Sequence, residues 1–215
     1  MVDSALIPAI REAIKQNEIG NASPYVLSYA RLGVSGASFG VFQGDTNVSP
    51  NARATLAAAL RANGADEATV TRILGLVSQP CPNGSPLSAE DAATADRALS
   101  SDAGKHFVDA MDNQLLQTVL HGIDSCVTVA NGRSLTIAPV AVLYIALWVN
   151  MTGPPTVLAR WIGGTSELGL APPTGPQVAQ QDLENYLHAT QFFTLRPKNF
   201  LHMQASVQAA VPLLS

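Results

Sequence analysis

Two carboxylates frame the stretch EIGNASPYVLSYARLGVSGASFGVFQGD, Glu18 at its start and Asp45 at its end. A pair of acids joined through a compact turn is the minimum apparatus for cutting a glycosidic bond. One acid protonates the leaving oxygen and the other serves the opposite side of the sugar. Between Gly20 and Gly44 no Asp or Glu occurs, so Asp45 must do the second job alone. If it does not, the substrate's own hydroxyl must close on the anomeric carbon.

The element that carries Glu18 is an amphipathic helix. Ile7, Ile10 and Ile14 recur at i, i+3 and i+7, and Glu18 follows Ile14 by one helical repeat, so the same stripe turns it toward the core. Asp3 or Ser4 caps the start and Gly20 supplies the stop. Glu12 points away from that stripe, toward water. A carboxyl on the apolar side of a helix end is partly desolvated, which favours its neutral form and suits a general acid.

The run Ser35–Asp45, SGASFGVFQGD, reads as a short hairpin. Phe39 and Val41 alternate with small residues, and the glycines permit positive φ and close backbone approach. GASFGVFQGD resembles the GFGLMQVD-type segment of goose-type lysozymes and, more loosely, the GLMQ segment of lytic transglycosylases. In those families a catalytic Glu ends a helix some two dozen residues upstream of the motif's Asp, and Glu18 and Asp45 keep that spacing. The resemblance implies Glu18 as general acid, Asp45 as the acid that positions water, and Gln43 as a cleft-lining amide. Ser28 matches a serine that often follows the catalytic Glu in transglycosylases. The chain departs from the goose-type pattern in lacking the acid between Glu and the Gln-x-Asp element.

A second resemblance lies in WVNMTGPPTVLARWIGG, residues 148–164. Asn150, Gly153, Pro154, Val157, Arg160 and Trp161 are similar to the YNAGPG-V-RW element of lytic transglycosylases, with a two-residue insertion. Val149 stands at the tyrosine position, and Trp148 is its natural substitute. Together the two resemblances imply that Gln43, Ser28 and Asn150 bind N-acetyl or hydroxyl groups, and that Phe39, Tyr29 or Trp148 pack on sugar faces. Asn150 also carries an independent signal, since a polar amide closing an all-apolar helix needs a partner.

The expected architecture is mainly α (α+β), a lysozyme-like helical fold with a small β-hairpin near residues 34–45 and a central buried helix near 137–151. That helix, IAPVAVLYIALWVNM, is apolar on every side but too short for a membrane span. The chain reads as one domain over 1–215, with a smaller lobe about 15–85 and a larger helical lobe about 88–215, divided by the loop QPCPNGSPL. Further helices begin at Ser49-Pro50, Asp66, Ser88 and Ser101 or Asp102, the last running through Phe107, Met111, Leu115, Val119 and Ile123. Asp182–Phe193 and Asn199–Leu214 read as the closing pair.

Composition removes several classes. Net charge is −4 and the three lysines, Lys15, Lys105 and Lys198, are scattered, so nucleic acid is not the partner. The four histidines show no ligand spacing and the two cysteines, Cys81 and Cys126, cannot build a zinc site, so neither metal nor other cofactor is expected. The expected partner is peptidoglycan or another amino-sugar polymer, with chitin or chitosan second, and an immunity or delivery protein if the chain is a secreted effector. MVDSALIPAIREAIKQ is not a signal peptide, so the protein is expected to be made in the cytoplasm and to reach the wall by lysis or a non-classical route.

Two other readings stand beside the glycosidase. Gly36-Ala37-Ser38-Phe39-Gly40 matches G-x-S-x-G, the serine-hydrolase elbow, with Ser38 as nucleophile. A helical protein that holds glycan without cutting it is the non-catalytic alternative.

Overall fold

The computed structural model describes residues 1–30 and 33–214; Arg31 and Leu32, inside the Glu18–Asp45 run, lie outside the described residues. In chain order the elements are α1 (Ile7–Glu18), β1 (Ser28–Tyr29), β2 (Ala37–Phe39), β3 (Gly44–Asp45), α2 (Pro50–Ala62), α3 (Glu67–Val77), α4 (Ala89–Ser100) and α5 (Asp102–Asn131). They continue as β4 (Thr136–Ile137), α6 (Pro139–Thr152), α7 (Thr156–Ile162), β5 (Gln177–Val178), α8 (Gln180–His188), α9 (Gln191–Thr194) and α10 (Pro197–Ala210). Helix takes 62% and strand 6%, which makes the fold mainly α with small sheets, as expected. Among the described residues no helix is long and apolar enough to cross a membrane.

The chain forms two compact units. One comprises Met1–Gly20 and Leu116–Ser215, the other Asn21–Leu115. The boundary therefore lies beyond the 79–87 loop, and the reason is a shared core. Leu99 of α4 and Val108 and Met111 of α5 are buried in the same cluster as Leu56 and Leu60 of α2, Val70 and Ile73 of α3, and Phe39. Arg72 of α3 grips Asp91 of α4 through two hydrogen bonds of 2.7 and 3.1 Å.

In the Asn21–Leu115 unit the caps fall where the sequence places them. Ser49, Asp66 and Ser88 accept from the backbone N–H of Ala52, Thr69 and Asp91. The sheet is antiparallel in the order β1-β2-β3, with Ser28 opposite Ser38 and Ser38 opposite Asp45. The hairpin near 34–45 is thus present and gains a third strand. Gly104, in the first turn of α5, sits so close to the end of α4 that an added Cβ would lie 1.9 Å from the Ala98 carbonyl oxygen. Gly104→Ala is therefore expected to lower stability by about 1–3 kcal/mol through overpacking, although alanine is the better helix former. Urea unfolding of the variant checks this.

In the other unit α6 is the buried member. Every residue from Ala141 to Leu147 is buried, and α6 packs against α1, α8 and α10. Each buried Leu or Ile there contributes about 1.5–3 kcal/mol. Ile137 belongs to a strand, not to this helix: β4 pairs in parallel with β5, Ile137 opposite Val178, and the helix starts at Pro139. The helix expected over Asp182–Phe193 is broken. The Thr190 hydroxyl donates to the Leu187 carbonyl and accepts from the Phe193 N–H, closing α8 and capping α9. α5 runs past Ile123 to Asn131 because Ile123, Cys126 and Ala130 keep one face buried.

Candidate functional site

Glu18 is the last residue of α1 and its backbone is fixed. The N–H groups of Ile19 and Gly20 both donate to the Lys15 carbonyl at 2.9 Å, and Gly20 takes φ +55°, the left-handed value that ends a helix. Ala9, Ile10, Ala13 and Ile14 bury the helix face, and Glu18, one turn further along, is half-buried. Two amides converge on its carboxyl. Asn17 Nδ2 donates to Oε1 at 3.1 Å and Asn150 Nδ2 donates to the same oxygen at 3.0 Å. Burial pushes the Glu18 pKa above the ordinary carboxyl value; the two amide donors and the charge of His202 pull it back without cancelling the rise. With both amides on Oε1, the carboxyl proton belongs on Oε2. The arrangement is a held, partly dry acid able to give up a proton.

Asn150 thus has the partner its position demanded, and that partner is the acid itself. It is the third-last residue of α6, just before Gly153, which takes φ +84° and breaks the helix ahead of Pro154 and Pro155. Trp148, half-buried, lies against Phe193 at 5.9 Å between ring centroids and edge-on to Phe192 at 6.1 Å. It also borders a cleft of about 220 Å³ with Thr152, Pro154, Val157 and Tyr186. Arg160 and Trp161 hold a loop: Arg160 pairs with Glu167 at 2.8 Å, and buried Trp161 donates to the Ala171 carbonyl and stacks on Tyr186.

No protein-family model, curated protein or solved structure matches the chain. The likeness to lysozymes and transglycosylases therefore rests on the residues themselves.

The hairpin residues belong to the other unit. Ser28 donates to Gln43 Oε1 at 2.5 Å, and Gln43 Nε2 donates to the Gly40 carbonyl at 2.9 Å. These bonds hold Gln43 at φ +51°, a costly conformation for a residue with a side chain. Asp45 Oδ1 accepts from the backbone N–H of Gly36 at 3.0 Å and of Asn47 at 2.7 Å, so its carboxylate ties the base of the hairpin. Tyr29 is half-buried, with its hydroxyl accepting from Ser85 at 3.3 Å. Phe39 has no exposed surface and is part of the core, which removes it as a platform for sugar. Ser38 lies in the middle of β2, and the chain after it turns back into β3, so the strand-to-helix turn of a serine elbow is not built.

Several contributors escape a reading of the sequence. Asn17 and Asp112 are first among them. Asp112 of α5, 2% exposed, accepts from the N–H of Val41 at 2.8 Å and of Phe42 at 3.3 Å, and so holds the hairpin turn. The third is Glu184 of α8, which accepts from the buried Tyr144 hydroxyl and from Gln180 at 2.9 Å. Burial opposes its charge, but hydrogen bonds from Tyr144, Gln180 and Gln204 prevail and lower its pKa. Among the described residues no group of three or more His, Cys, Asp or Glu is placed to hold a metal ion. Cys81 and Cys126 are buried and unpaired with each other, and burial pushes the Cys126 thiol up to about 12.

Proposed function

We propose that this chain is a glycosidase of the lysozyme type, cleaving β-1,4 bonds in peptidoglycan, with Glu18 as proton donor. The observation that carries the reading is the state of Glu18: half-buried, raised in pKa, and fixed by Asn17 and Asn150 on one oxygen. A helical fold with a small antiparallel sheet, and the spacing of Glu18 from the SFGVFQGD turn, support it further. In the first step the Glu18 proton passes to the glycosidic oxygen, the bond to the anomeric carbon breaks, and the leaving sugar departs as an alcohol. Such an enzyme acts at the cell wall.

Two endings of the reaction are open to the substrate. In hydrolysis a water attacks the anomeric carbon and gives its proton to the Asp45 carboxylate, the role the resemblance implies for that residue. In the anhydro route the substrate's own hydroxyl attacks and its proton returns to Glu18. The bonds from Gly36 and Asn47 to Asp45 Oδ1 favour the second ending, because they commit that oxygen to the backbone. Asp45→Asn, which keeps an oxygen for those two donors, is then expected to change the rate less than about tenfold. Anhydro ends in the wild-type digest, read by mass spectrometry, go with that result. Reducing ends and a loss of about 10²-fold or more in Asp45→Asn would restore Asp45 as the base.

A further inference from the structure

The turn that ends α1 is held from a second side. Its last carbonyls have no partner within the helix. The Lys15 carbonyl is taken by Ile19 and Gly20; the Asn17 carbonyl meets His202 Nε2 of α10 at 3.0 Å. A carbonyl oxygen can only accept, so Nε2 carries a proton whether the imidazole is neutral or charged. Asn17 is thereby gripped at both ends, its backbone by His202 and its side-chain amide on Glu18 Oε1. His202 is itself anchored, since its carbonyl accepts from Ser206 at 2.9 Å one turn on.

We propose that His202 is a positioning residue for the Glu18 carboxyl, acting through the Asn17 backbone that it holds and the Asn17 amide on Oε1. This rests on the reading of Glu18 as the proton donor. The elements packed against α1 are α6, α10 and the short 3₁₀ turns Ser4–Leu6 and Val211–Leu213. The two 3₁₀ turns carry no ionisable side chain, and α6 carries Tyr144 alone, which is committed to Glu184. α10 offers Lys198 and His202, and α1 itself offers Arg11, Glu12 and Lys15, of which Lys15 and Glu12 pair at 3.9 Å. A positive His202 beside Glu18 favours the ionised carboxylate. His202 also fixes the Asn17 backbone, and the Asn17 amide sets where the acid points.

The test is a carboxyl-carbon NMR titration of Glu18, assigned by its loss in Glu18→Gln, in the wild type, His202→Gln, His202→Ala and Asn17→Ala. His202 is exposed, so its variants are expected to fold, and circular dichroism checks that. The Glu18 midpoint should move upward in both His202 variants, which lack the charge, and upward in Asn17→Ala, which lacks a donor. In cleavage assays His202→Ala should lose on the order of tenfold or more in kcat with KM little changed, and glutamine, which can still donate to the Asn17 carbonyl, should recover most of it. A Glu18 midpoint unmoved in all three folded variants overturns the proposal. Absence of cleavage by the wild type overturns the glycosidase reading alone, because the titration needs no substrate.

Discussion

Glu18→Gln should reduce cleavage by about 10²–10⁴-fold, the usual worth of a positioned general acid, and should make the protein more stable at neutral pH. The second effect follows from the sign of the shift. A carboxyl whose folded-state pKa is raised binds its proton more tightly folded than unfolded. Stability is then lost as pH rises from the ordinary carboxyl value of about 4.3 through the raised folded value. Glutamine has no charge to lose, and its oxygen can still accept from Asn17 and Asn150. The melting temperature of the variant should therefore exceed that of the wild type at pH 7, and the two should converge below about pH 4. Calorimetry across that range reads the crossing. A Glu18 without a raised pKa would give a variant no more stable at pH 7, and a Glu18 with no part in catalysis would leave the cleavage rate near that of the wild type.

Asp112→Ala is expected to cost about 2–5 kcal/mol, because it leaves the Val41 and Phe42 N–H groups without their acceptor inside the protein. The turn is already strained at Gln43, which takes φ +51°, while Gly40 takes φ +82°, a value open to glycine without cost. It is also closed on the carboxylate, since a Cβ at Gly40 would lie 2.5 Å from Asp112 Oδ1. Asp112→Asn, which keeps one acceptor oxygen, should lose about half as much. Urea denaturation of the two variants orders them, and an alanine variant as stable as the wild type would show that the turn holds itself.

What the sequence made legible was periodic or local. The Ile10–Ile14 stripe and Gly20 mark α1, and the capping side chains of Ser49, Asp66 and Ser88 mark α2, α3 and α4, because helix signals act within a few residues. The break at Thr190 was not legible, since a hydroxyl that turns back to cap looks like any threonine on a helix face until its bonds are seen. Nor was the lobe boundary, which depends on Leu99, Val108 and Met111 sharing a core with Leu56 and Ile73.

The site divides the same way. The half-burial of Glu18 could be read because desolvation follows from helix phase. Asn150 could be found because an amide ending an apolar helix needs a partner, although its partner proved to be the acid. Asp112 and His202 could not, because each acts through a contact far along the chain, with Val41 and Asn17 respectively. Phe39 was misread because alternation in a strand separates two faces without saying that both are covered.

The central claim is that Glu18 gives a proton to a glycosidic oxygen. Digestion of purified peptidoglycan by the wild type and by Glu18→Gln, with the soluble fragments identified by mass spectrometry, tests it most directly. The account predicts saccharide-linked fragments released by the wild type and none above background from the variant. Fragments released equally by both, or a wall left intact by the wild type, would contradict it.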